Sequence, residues 1–287
     1  MSKRTDILKT YKTYVGGAFP RSESGYTYPI RNAKDELIAN ACRCTRKDVR
    51  DAMVVARAAF DGWSSRSAYN RGQILYRIAE MLEGRKEQFI RELELSGMKT
   101  KAADEEVTLS VDRLVYYAGW TDKLPQVFGS VNPVASSHFN FSMPDATGVV
   151  AVIAPTSSPL LGLVSAIAPV IAGGNSCVVL ASEKNPLPAV SFGEVLQASD
   201  VPGGVVNIIS GFADEMVSHL TAHMDVNAIW NAHENRDFRK QIDENGALNI
   251  KRVLHRASEN WDDPDHENPY YILDVQEIKT TWHPIAN

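Results

Sequence analysis

Three cysteines, at positions 42, 44 and 177, are the strongest nucleophiles in this chain of 287 residues. Thiol chemistry runs through the thiolate, which needs an electropositive, partly exposed setting. Cys177 follows Ser176 inside the apolar run Asn175 to Leu180 (NSCVVL), where a thiol is expected to be packed and inert. Cys42 and Cys44 could bind a metal only if another ligand pair met them, and no CxxC or HxxxH partner is expected. No metal site is therefore expected. Ser157 and Ser158 lie in PTSSP, which lacks the small-residue elbow of a GxSxG nucleophile and has no assignable His or acid partner. Asp262, Asp263, Asp265, His266 and Glu267 form an acidic cluster without a loop glycine or EF-hand spacing, and it reads as a solvated turn.

The chemistry that the residue order does support is the cradling of a nucleotide by strand ends. Gly148 opens a β-branched run, Val149 to Ile153, of the kind buried on both faces of a parallel sheet, and Pro155 ends it. Leu160 to Ala172 is apolar on every side and predicts a buried helix, kinked or divided at Pro169, that closes on Gly173-Gly174. Asn175 to Leu180 predicts a second buried strand, Ala189 to Ser199 a helix, and Val205 to Ser210 a third strand closing on Gly211. The order is β-α-β-α-β.

These stretches resemble the aldehyde dehydrogenase superfamily. In that family the first strand ends in Pro-Trp-Asn-Phe-Pro-Leu, the helix runs into Ala-Gly-Asn-Thr, the second strand ends in Lys-Pro-Ser-Glu, and the third follows Pro-Gly-Val-Val-Asn. Here they read Pro155-Thr156-Ser157-Ser158-Pro159-Leu160, Gly173-Gly174-Asn175-Ser176, Leu180-Ala181-Ser182-Glu183 and Pro202-Gly203-Gly204-Val205-Val206-Asn207. The resemblance implies an α/β fold: a Rossmann-like parallel sheet of the cofactor-domain type, with N-terminal helices and a protruding β bridging arm.

It also implies what each departure removes. Ser157 stands where the family's oxyanion-donating Asn would be, and losing one such donor costs on the order of a hundredfold in rate. Leu180 stands in place of the Lys that binds the adenosine ribose of NAD(P), and it cannot donate a hydrogen bond. Glu183, the other ribose contact, is kept. Asn231-Ala232-His233-Glu234 replaces Phe-Thr-Gly-Ser, so a ring replaces Gly and a carboxylate would face an anionic ligand. The family's nucleophilic Cys and its Glu-Leu-Gly-Gly general base are missing, so no catalytic residue is expected. A cofactor is not expected either. NAD or NADP remains the alternative, with Pro155, Ser182, Glu183 and Gly211 as the residues that would line its crevice.

Upstream, two short strands with turns at Gly16-Gly17 and Ser24-Gly25 lead to a ladder near Tyr28 to Cys44. Thr45 is placed to cap a helix whose inner face carries Val49, Met53, Ala56, Phe60 and Trp63. A second helix is expected from Tyr69 through Leu93 and a third over Asp104 to Trp120. Ser136 to Pro144 resembles one strand of the family's bridging arm and Tyr270 to Trp282 its partner strand, the parts through which family members pair with neighbouring subunits. The chain thus divides into N-terminal strands and helices over 1–135, a first arm strand over 136–147 and the αβ unit over 148–233. A polar linker over 234–269, part of it a short helix, and a C-terminal arm strand over 270–287 complete it.

A composition of 44% hydrophobic and 23% charged residues supports a substantial core, and a net charge of −5 gives no electrostatic basis for binding nucleic acid. No apolar run reaches the length of a membrane span and no signal peptide is recognisable, so a cytoplasmic, non-membrane protein is expected; an odd cysteine count agrees. With no catalytic half following the αβ unit, the sequence reads as a non-catalytic, structural or regulatory protein that forms a homo-oligomer, or a hetero-oligomer with a full-length aldehyde dehydrogenase. Two competing readings are an NAD(P)-dependent aldehyde oxidoreductase completed by a partner chain and an NAD(P) sensor without turnover.

Overall fold

The computed structural model describes residues 8–258 and 260–285. It opens with β1 (Thr10–Tyr11), β2 (Thr27–Arg31) and β3 (Leu37–Cys42), a small sheet in the order β1-β3-β2. Four helices follow: α1 (Arg46–Ser64), α2 (Ala68–Glu83), α3 (Lys86–Leu95) and α4 (Thr100–Ala118). A short α5 (Leu124–Phe128) leads to β4 (Ser130–Asn132) and β5 (His138–Ala146). The αβ unit then runs β6 (Val149–Ile153), α6 (Leu161–Ala172), β7 (Ser176–Leu180), α7 (Leu187–Gln197), β8 (Val206–Ile209), α8 (Ala213–Thr221), β9 (Val226–Asn231), α9 (Asp237–Ala247) and β10 (Arg252–His255). A short helix α10 (Tyr270–Leu273) and β11 (Gln276–Pro284) end the described chain.

The central sheet is parallel throughout, in the order β10-β9-β6-β7-β8. Every residue of β6 and β7 is buried, as a strand covered on both faces requires. Successive side chains divide between those faces. Val150 and Val152 enter a core with α6, α7, α2 and α4, whereas Val149, Ala151 and Ile153 join α1, α8 and α9 on the other side. Helix α6 is buried at all twelve positions because α2 and α4 cover the side turned away from the sheet. Pro169 lies inside α6 without dividing it.

Thr45 caps α1 through a capping box with Asp48, and the inner face is Val49, Ala52, Met53, Ala56 and Trp63, with Phe60 only half-buried. The single helix expected after Tyr69 is two, α2 and α3, separated at Gly84-Arg85. Both keep the expected inward residues, since Leu75, Ile78, Leu82, Phe89 and Leu93 are all buried.

Two further expectations are corrected. Residues 234–269, read as a polar linker with a short helix, contain a helix of three turns, α9, and in place of a plain linker a fifth parallel strand, β10. Helix α9 buries only Phe238, Ile242 and Gly246, a stripe too narrow to stand out in a polar sequence. Tyr270 to Leu273, read as the start of the arm strand, is helical, and the strand begins at Gln276. Asn268 starts this turn by accepting from the amides of Tyr270 and Tyr271, and Ile272 is buried in the same core as α6.

The arm is a three-stranded antiparallel sheet in the order β11-β5-β4, with Gln276 opposite Ala146 and Pro284 opposite His138. Its base is tied to the αβ unit by Asn175, whose side chain accepts from the Gly148 amide at 2.9 Å and donates to the Val275 carbonyl at 3.0 Å. The Gln276 side-chain Nε2 donates a further bond to the Gly173 carbonyl.

Candidate functional site

Strand order reverses between β6 and β9, the first and fourth strands of the parallel sheet. In open α/β sheets ligands bind outside the carboxyl ends of the strands at such a reversal. Here the loop after β6, Pro155 to Ser158, meets the loop after β9, Ala232 to Asn235. One side chain joins them. The Glu234 carboxylate accepts from the Thr156 amide at 3.0 Å to each oxygen, from the Thr156 hydroxyl at 2.9 Å, from the Ser157 amide at 2.9 Å and from the Ser157 hydroxyl at 2.6 Å. Burial alone would raise the Glu234 carboxyl, but the Ser157 hydroxyl and the Thr156 and Ser157 amides outweigh it and hold the group at about 2.

His233 sits beside it. Its Nδ1 accepts from the Asn235 amide at 3.0 Å, and its ring meets Phe238 edge-on at 5.1 Å. That bond places the neutral ring's proton on Nε2. Burial lowers the His233 pKa, against the opposing pull of Glu234 and Glu183.

The other residues expected to line a crevice are placed as follows. Pro155 is buried at the end of β6, where a Cβ on Gly162 would come within 2.3 Å of its ring. The Ser182 hydroxyl, buried, accepts from the Asn185 amide at 3.3 Å. Glu183 accepts from the Ala213 amide at 2.8 Å and so occupies the N-terminus of α8. Gly211 follows β8 and faces the Cys44 backbone. Leu180 is packed in the core between the sheet and α1 and α8. The loop after β6 therefore meets Glu234, while Ser182 and Glu183 are engaged in local turns and caps around β7 and β8.

A second carboxylate holds the same loop from the opposite side, and nothing local in the sequence marks it. Glu106, buried in α4, accepts from the amides of Leu160 and Leu161 at 2.9 and 3.1 Å and from the Ser158 hydroxyl at 3.2 Å. It completes the N-terminus of α6, which has no side-chain cap of its own. Burial raises its pKa against those donors. Next to it lies a cavity of about 210 Å3 lined by Ser157, Ser158, Glu106, Leu161 and Trp261 among others.

Among the described residues, no thiol stands at this site. All three thiols are buried, and burial pushes the pKa values of Cys44 and Cys177 far up. Contrary to expectation, an HxxxH spacing is present: His219 and His223 lie at the end of α8 beside a cavity also lined by Arg46, Lys47 and Arg50. Among the described residues, no three His, Cys, Asp or Glu side chains gather where they could hold a metal. In the acidic turn, Asp263 accepts from the Asp265 amide, His266 stacks on Trp261 at 4.9 Å, and Glu267 lies 3.7 Å from Arg113.

The aldehyde dehydrogenase family model matches residues 20–257. The chain belongs to the aldehyde dehydrogenase family. It is 33% identical over 235 residues to 2-hydroxymuconic semialdehyde dehydrogenase of Pseudomonas sp. (strain CF600), covering 80% of this chain and 48% of that protein. It is 30% identical over 250 residues to cytosolic aldehyde dehydrogenase 1 of Elephantulus edwardii, covering 84% of this chain and 49% of that one. Among solved structures, an NAD+ complex of the Bacillus cereus aldehyde dehydrogenase superposes with a TM-score of 0.81 at 26% identity, over 85% of this chain and 50% of that one. PnpE in complex with nicotinamide adenine dinucleotide gives 0.82 at 28% identity over 86% and 50%. The chain thus spans about half the length of the relatives it matches.

Measured against the aldehyde dehydrogenase pattern, the residues present do not fit NAD(P) in that family's usual mode. Leu180 is apolar and buried where the pattern has a ribose-binding Lys. Glu183 already holds the Ala213 amide. The donors at the mouth of the crevice carry Glu234. Among the described residues no helix is long and apolar enough to cross a membrane.

Proposed function

We propose that this chain is a non-catalytic member of the aldehyde dehydrogenase family, a structural or regulatory subunit that assembles through its β arm with a full-length aldehyde dehydrogenase or with another copy of itself. The observation that carries this reading is the arm. Strand β11 is exposed at eight of its nine residues, and its far edge pairs with no strand among the described residues. Val131, Phe139 and Met143 are exposed on one face of the sheet, Ile278 and Trp282 on the other. An edge with free backbone groups beside exposed apolar side chains suits strand addition by another chain. The buried thiols and the carboxylate across the crevice support the non-catalytic part of the reading.

A second reading, a sensor that binds NAD(P) without turning it over, draws on Glu183, which keeps the family's ribose-contact position, and on the NAD+ complexes among similar structures. Calorimetric titration with NAD+ and NADP+ separates the two. A structural subunit gives no saturable heat and no NAD(P) reduction with an aldehyde panel; a sensor gives saturable binding without reduction, and reduction by the isolated chain would overturn both.

A further inference from the structure

We propose that the cavity between α1 and α8 is a binding site for a polyphosphate anion, either inorganic or carried on an organic molecule. Its volume is about 750 Å3, within the range of small-molecule sites. Arg46, Lys47 and Arg50 of α1 line it together with His219 and His223, and Val49, Ala222 and Met224 supply its apolar part. The two helices pack on one face of the parallel sheet, where Val49 and Met53 share a core with Met216, Val217 and Leu220. The cavity takes no residue from the loops after β6 and β9.

The described residues that line the cavity include no carboxylate. The acids nearby are Glu23, 2.7 Å from Lys47, Asp51, 2.7 Å from Arg50, and Asp225, 3.9 Å from His223. Glu215 of α8 is taken up by Arg43, and Asp48 by Thr45 and the Glu23 amide. Among the described residues, Arg46 and His219 have no carboxylate partner. Exposed ion pairs of this kind are individually weak, so an anion of higher charge can draw Lys47 and Arg50 to itself as well. Three permanent cations and two imidazoles around one space outnumber what a single carboxylate can engage, and they match several linked phosphates. Two of the three are arginines, whose planar fork binds phosphate oxygens in pairs. A helix dipole favours acids over cations in the opening turns of a helix, so the stability of α1 does not account for these side chains. Arg46, Lys47, Arg50 and His219 are exposed, and a solute can reach them.

The inference stands on this cavity and not on the assembly reading, which a mass measurement tests separately. The experiment is calorimetric titration of the full chain with tripolyphosphate, orthophosphate and ATP, at ionic strength matched with chloride. Wild type is expected to bind tripolyphosphate saturably and at least about tenfold more tightly than orthophosphate, and Arg46→Ala to weaken that binding by about tenfold. Arg46→Lys, which keeps the charge but not the fork, should lose less. Lys240→Ala, at an exposed lysine of α9 that does not line the cavity, removes the same charge and should bind as wild type does. Tighter binding of ATP than of tripolyphosphate, weakened in Arg46→Ala, assigns the ligand an organic body resting on Val49, Ala222 and Met224; equal or weaker binding assigns the inorganic anion. His219→Gln carries the test if Arg46→Ala does not fold. The proposal is overturned if wild type shows no saturable binding, if orthophosphate binds as tightly as tripolyphosphate, or if Lys240→Ala loses as much as Arg46→Ala.

Discussion

At Glu234 the hydrogen bonds of one carboxylate join two loops that the backbone alone leaves apart. Its pKa of about 2 lies below the ordinary 4.5, so the charged form is bound more tightly in the folded state. The stability this contributes is full above about pH 4.5 and is lost as pH falls through about 2. Replacing Glu234 by Gln is expected to lower stability at pH 7 by about 2 kcal/mol, after allowance for solvent screening. Urea unfolding of the two proteins across pH checks this: the gap should shrink steadily as pH drops below 4.5. A gap that is constant with pH would show that the carboxylate is not the group responsible. The thiols give a second expectation. With Cys42, Cys44 and Cys177 all buried, a chromogenic disulfide reagent should titrate none of them in the native protein and all three in urea. Little of Glu234's role was legible beforehand. The sequence showed a carboxylate that would face an anionic ligand, but its partners Thr156 and Ser157 are brought to it only by the pairing of β6 with β9. Leu180 and Cys177, by contrast, were legible because an apolar strand run already dictates burial.

Among the elements, the αβ unit carries its own instructions: valine-rich buried runs for β6 and β7, an apolar segment for α6, and glycines at the turns. Gly148 shows how closely β6 is set. Its φ is +135°, and a Cβ there would lie 2.1 Å from the Asn227 Oδ1 that accepts from the Val149 amide. Gly148→Ala is therefore expected to destabilise the protein by about 3 kcal/mol, read as a lowered midpoint in urea unfolding; a neutral effect would mean that β9 yields easily. Strand β10 was not legible, and helix α9 only as a short helix without bounds, for the opposite reason. Strand β10 lies at the sheet edge with every residue only partly buried, so its sequence, RVLH, needs no apolar run. The arm was legible as a pair of strands, but the turn of helix at Tyr270 to Leu273 was not, because Tyr271 and Ile272 suit either state. What selects helix is tertiary: Ile272 in the core and Tyr271 edge-on to Trp230 at 5.4 Å.

The whole molecule divides into a well-packed αβ body and a β arm that leaves apolar residues exposed. Burying Val131, Phe139 and Met143 against a second chain would remove exposed apolar side chains of the arm from water, which favours association. Substituting Val131 and Met143 together by Glu should weaken assembly without lowering the unfolding midpoint, since both side chains are already exposed. The measurement that bears most directly on this is mass in solution, by light scattering behind size exclusion, of the chain alone and mixed with a full-length aldehyde dehydrogenase from the same source. The expected mass is above the 31.7 kDa of one chain, as a homo-oligomer or a mixed complex, falling to one chain in the Val131→Glu, Met143→Glu variant. A wild-type chain that stays at the mass of one chain, both alone and in the mixture, would contradict it.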